Sequence, residues 1–66
     1  MAKYKVLGKE IENLDESAPV EYAPVELTGK RGTFKWDRDS VVTELQVNPE
    51  QAEKLVEEGL LEVIEE

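Results

Sequence analysis

The sequence contains no cysteine and no histidine. Those two absences exclude a disulfide framework, a zinc finger, an iron–sulfur centre, a thiol nucleophile and an imidazole base. Aromatic residues are scarce: one Trp, one Phe and two Tyr. Cations are scarce as well, with eight Lys plus Arg against sixteen Asp plus Glu, so the formal net charge is −8. That sign opposes direct binding to DNA, RNA or an anionic membrane face, and it permits binding to a basic protein. No apolar run exceeds three residues, too short to cross a bilayer as a helix. The opening Met1–Lys5 lacks the apolar stretch of a signal peptide, and with the missing cysteines this makes the cytoplasm the expected location.

What is present is patterned. Val, Ile and Leu recur through a chain of 66 residues, which reads as one small folded domain over 1–66. A domain of this size buries only about 60% of the surface its unfolded chain exposes, so it has little core to give up to a deep pocket. Charge falls in blocks: +3 over residues 1–9, −6 over 10–27, +2 over 28–39 and −7 over 40–66. Most of this is the solvated face of a small domain, but the alternation also admits attraction between copies, head to tail.

Lys3–Leu7 alternates, with Tyr4 and Val6 on one face, and predicts a short strand broken at Gly8. Residues 10–19 are rich in turn formers, and Ile11 and Leu14 are spaced to anchor that loop, as in a single helical turn. Residues 20–27 alternate in part, with Pro24 marking an edge or a break. Thr28–Thr33 holds two glycines and reads as a hairpin connection. It is not a phosphate loop, since Gly29-Lys30 is followed by Arg31 and Gly32 and not by a hydroxyl residue opening a helix. Phe34 and Trp36 then share one strand face, as core or as exposed binding anchors. Asp37 and Asp39 begin a calcium-loop spacing, but Val42 stands where its glycine is needed and Asn48 where its glutamate is, so no metal is expected. Val41–Val47 reads as the best strand, with Val41, Thr43, Leu45 and Val47 on one face.

The sharpest local signal follows. Asn48 is a favoured N-cap, Pro49 suits the first helical position, and Gln51 completes a capping-box spacing. Val47 and Ala52 suit a hydrophobic staple, Ala52, Leu55 and Val56 make one apolar stripe, and Gly59 supplies a left-handed stop. A helix over about 49–58 and a final strand over 60–64 are therefore expected. Glu57 and Glu58 occupy the last turn, where the helix dipole prefers cations. The fold class is α+β: a small, mostly antiparallel sheet, with an SH3-like, partly open barrel as one arrangement of the strands.

The opening Lys3–Leu7 and the run Asn48–Glu62, about a third of the chain, resemble small accessory and structural proteins of tailed-phage and prophage gene clusters. The resemblance implies a virion-associated or assembly role, a phage structural protein or the chain itself as partner, and no catalytic residues. The residue types agree with the last point, since Ser17, Ser40, Thr28, Thr33 and Thr43 have no histidine to activate them. The expected function is non-catalytic protein interaction or structural assembly, without a cofactor, with Phe34 and Trp36 as anchors and Glu53, Glu57 and Glu58 steering the partner. The alternative is an acidic mimic of nucleic acid that fills the basic groove of a nucleic-acid-binding protein.

Overall fold

The first and last strands of the fold meet in a three-stranded antiparallel sheet. In a computed structural model that describes residues 2–12 and 15–65, β1 (Lys3–Val6) is the centre of this sheet. It is flanked by β6 (Val41–Thr43) and β7 (Leu61–Glu65). Two antiparallel ribbons complete the strands: β2 (Lys9–Ile11) with β3 (Glu21–Ala23), and β4 (Val25–Gly29) with β5 (Gly32–Trp36). One helix, α1 (Pro49–Glu58), packs on β7. The fold is thus α+β, with the strands of the described residues divided among three small sheets.

The core is Val6, Val25, Leu27, Val42, Val47, Ala52 and Leu61, to which Tyr4, Trp36, Leu55, Val56 and Leu60 add partly buried surface. It draws on the three-stranded sheet, the β4–β5 ribbon and the helix. The β2–β3 ribbon contributes no buried residue. It is tied down at its base, where the Arg38 guanidinium stacks 4.0 Å from the centre of the Tyr22 ring and donates to the Leu7 carbonyl.

Two expectations are corrected here. β2 takes in Glu10 and Ile11, the start of the stretch over 10–19 expected to be an irregular loop, and Ile11 stands exposed on it. Its expected companion Leu14 lies outside the described residues. The strand expected over 41–47 stops at Thr43, because Thr43 becomes the hub of a turn. Its N–H and Oγ1 donate to Gln46 Oε1, its carbonyl accepts from the Gln46 and Val47 N–H groups, and its Oγ1 accepts from Leu45 N–H. The alternation is also inverted: Val42 is fully buried while Val41 is 57% exposed. Beyond the turn Val47 is brought back into the core, so its apparent phase with Val41 is an accident of spacing.

The helix runs over the expected residues and ends as expected. Gly59 takes a left-handed conformation, its N–H bonds to the Val56 carbonyl, and the Leu60 N–H bonds to the Leu55 carbonyl. Its start differs from the expectation. The Asn48 side chain makes no capping bond. Gln51, the other half of the expected box, turns its Oε1 to the N–H of Thr28 on β4, 2.9 Å away. The Asn48 N–H donates to the Thr28 carbonyl at 2.8 Å. The capping residues therefore join the helix to the β4–β5 ribbon instead of closing the helix on itself. Gly29 permits this docking, since a Cβ there would fall well inside 3.0 Å of the backbone of Leu45, Gln46 and Val47.

Candidate functional site

The β4–β5 ribbon has a two-residue tip, Lys30-Arg31, between the paired Gly29 and Gly32. This is the hairpin connection the glycines predict. Its register sets Trp36 opposite Val25 and Phe34 opposite Leu27. Directly opposed residues share a face, so both aromatic rings flank buried aliphatic side chains. The two rings then part company. Trp36 is half-buried against the core, whereas Phe34 remains 54% exposed. Exposure thus separates the two rings, with Trp36 packed on the core and Phe34 open to water.

Trp36 carries a further irregularity. Its indole Nε1 is buried and has no hydrogen-bond acceptor. A donor shut away from water in this manner costs about 1–3 kcal/mol.

Beside these rings runs an open groove of about 460 Å³, lined by Arg31, Phe34, Lys35, Trp36 and Gln46. Three consecutive residues of one strand line it, although neighbours on a strand point to opposite faces. The groove therefore follows the edge of β5 and not one face of the ribbon. Both charged residues lining it are cations, in a chain with twice as many acids as bases.

The backbone on that edge is available. Both main-chain groups of Thr28 point away from β5, toward Gln51 and Asn48. Thr28 and Thr33 are therefore a non-hydrogen-bonded pair of the ladder, consistent with their hydroxyl oxygens lying 2.9 Å apart. By the alternation of an antiparallel ladder, the N–H and C=O groups of Thr33 and Lys35 face outward from β5. Among the described residues no strand lies along that side.

The glutamates expected to steer a partner lie elsewhere. Glu53, Glu57 and Glu58 are all exposed on α1. Glu53 and Glu57 border a hollow with Tyr4, Val56 and Val63. Glu58 borders another with Leu7, Tyr22 and Arg38. The five expected contact residues therefore do not form one surface: Phe34 and Trp36 share a groove, and the three glutamates line two other hollows. Arg31, Lys35 and Gln46 complete the aromatic groove. The basic residues around the rings were visible in the sequence, but the folding of Gln46 over them depends on the unforeseen turn at Thr43.

Among the described residues, no three acidic side chains gather where they could hold a metal ion. No helix among them is long and apolar enough to cross a membrane. Comparisons with protein-family models, with curated proteins and with solved structures find no match to this chain.

Proposed function

We propose that this protein is a non-catalytic interaction or assembly module that docks on a partner protein through Phe34, Trp36 and the edge of β5. The observation that carries this reading is the pairing of a 54% exposed Phe34 with an unpaired strand edge. An aromatic ring beside a core-anchored neighbour has the character of an interface anchor. A free edge offers main-chain hydrogen bonds to an incoming chain. A domain with a core this small also gains stability from association. The absence of His and Cys from the sequence supports the non-catalytic part of the reading.

The resemblance of Lys3–Leu7 and Asn48–Glu62 to small tailed-phage proteins extends the proposal to a virion-associated or assembly role. The strands are read in the same proposal as a partly open, SH3-like barrel. Support comes from the pairing of β1 with β7 and from the near-continuous β3 and β4, which break only at Pro24 and serve two ribbons.

The test is photo-crosslinking from a benzophenone side chain placed at position 34, in the cells that make the protein. One protein is expected to be captured, and its capture is expected to be lost from position 34 in a Trp36→Ala background that still folds. If crosslinks form only from positions 53, 57 and 58, and to a nucleic-acid-binding protein, the acidic-mimic reading replaces this one.

A further inference from the structure

We infer that the partner presents an extended acidic segment, which adds to the free edge of β5 as a further strand; this rests on the docking reading above and names the chemistry of its partner. Three observations converge on it. The outward N–H and C=O groups of Thr33 and Lys35 supply the hydrogen bonds of an added strand. The groove beside them holds Arg31 and Lys35, and among the described residues neither forms an ion pair. Phe34 and Trp36 lie on one face of β5, while Thr33 and Lys35 lie on the other.

Strand periodicity turns these observations into a sequence preference. Residues of an added strand share a face with the β5 residues they oppose. Positions beside Phe34 and Trp36 are therefore apolar, and positions beside Lys35 are acidic. Lys35 already opposes Glu26 on β4, so an acid on its other side places the ammonium between two carboxylates. Arg31, at the hairpin tip, meets a further acid at the end of the segment. The fitting ligand alternates acidic and apolar residues.

A second copy of the chain fits less well. Of the protein's own alternating acidic segments, β7 is already paired to β1 with Leu61 buried in the core, and β2 offers only Lys9–Ile11, paired to β3 and bringing a cation of its own. Pairing two β5 edges would bring Lys30, Arg31 and Lys35 of both copies together, at a cost in like-charge repulsion.

The experiment uses the full chain and a capped octapeptide alternating Glu and Val. Two readouts are taken: the fluorescence of Trp36, the one tryptophan in the sequence, and amide hydrogen exchange by NMR. The peptide is expected to shift the Trp36 emission and to slow exchange at Thr33 and Lys35 while leaving other strand amides unchanged. The variant Lys35→Glu, at an exposed position, is expected to keep the fold by circular dichroism and to weaken binding about tenfold, as a like-charge pair replaces an attractive one. A peptide N-methylated at alternate residues keeps its charge but loses its strand donors, and it is expected not to bind.

Equal binding of the N-methylated peptide would overturn strand addition. Equal binding of a Lys–Val octapeptide would overturn the acidic preference. Tight binding of decathymidylate with no effect of the Glu–Val peptide would overturn the proposal in favour of a stacked single strand. If position 34 crosslinks to a protein but the Glu–Val peptide leaves Thr33 and Lys35 exchange unchanged, this inference fails and the docking reading stands. If both experiments are negative, both fail.

Discussion

Trp36 stands between two environments: its ring packs against the core, and its edge lines the groove. The buried Nε1 without an acceptor is a cost that only a donor-bearing ring incurs here. Replacing the ring by one without the donor separates packing from polarity. Trp36→Phe gives up some buried area and removes the unsatisfied N–H, so the two effects oppose one another. Stability in urea is expected to remain within about 1 kcal/mol of the parent protein. Trp36→Ala removes the packing as well and is expected to cost about 2–4 kcal/mol, below the full range for a buried aromatic because part of the ring is exposed. A Trp36→Phe loss as large as that of Trp36→Ala would mean that the N–H finds a partner in solution. At Phe34 the same logic predicts little change in folding, which is why a binding readout from position 34 can be interpreted.

At the level of the elements, the helix start gives the clearest contrast between pattern and packing. The spacing of Asn48 and Gln51 is that of a self-contained cap, whereas the structure spends Gln51 on Thr28 of β4. Asn48→Ala is therefore expected to cost less than about 0.5 kcal/mol, well under the roughly 1 kcal/mol of a working N-cap. Gln51→Ala removes the hydrogen bond to the exposed N–H of Thr28, which water can then reach, and is expected to cost about 0.5–1.5 kcal/mol. Thermal melts of the two variants decide the matter, and the reverse order would restore the capping box. The helix and the final strand were legible in the sequence because their signals are local: Pro49 at one end, Gly59 at the other and an apolar stripe between. The β4–β5 hairpin was legible for the same reason, through Gly29 and Gly32. The β2 strand was not, because Lys9–Ile11 buries nothing and so has no apolar alternation to reveal it. The end of β6 was hidden as well, because Gln46 reaches back to Thr43 through its side chain, a bond that hydrophobic periodicity does not register. Of the candidate site, the aromatic pair could be read in advance. The free edge could not, since strand order is set by tertiary packing.

Across the whole molecule, the balance of charge and the shape act together. The radius of gyration is 12.5 Å, above the roughly 11 Å of a compact chain of this length, and the longest dimension is 40 Å. Elongation leaves much of the net charge of −8 on a thin body exposed to water. Among the described residues two ion pairs oppose the excess, Lys3–Glu65 at 3.4 Å and Lys5–Asp39 at 3.2 Å, both on exposed side chains. Exposed pairs of this kind contribute about 0–1 kcal/mol each. Asp15 is held below the usual carboxylate range by the Ser17 hydroxyl and then by the Ser17 N–H. A lowered carboxyl stabilises above its unfolded value, and that contribution is lost as the pH falls through the lowered one. Because Asp15 is fully exposed, the effect on acid stability is minor. A net charge of −8 makes repulsion among the carboxylates the expected dominant electrostatic effect, and salt is the direct probe of it. At about 0.01 M salt the screening length is about 30 Å and the repulsion reaches along most of the molecule; at about 1 M it is about 3 Å and only adjacent charges interact. The midpoint of thermal unfolding is therefore expected to rise by about 3–8 °C across that range, on the order of 0.5–1 kcal/mol for a chain of this size. Were attraction within the two ion pairs to outweigh that repulsion, the midpoint would fall instead. Salt also screens Arg31 and Lys35, so a partner held by the β5 groove is expected to bind less tightly under the conditions in which the free protein is most stable.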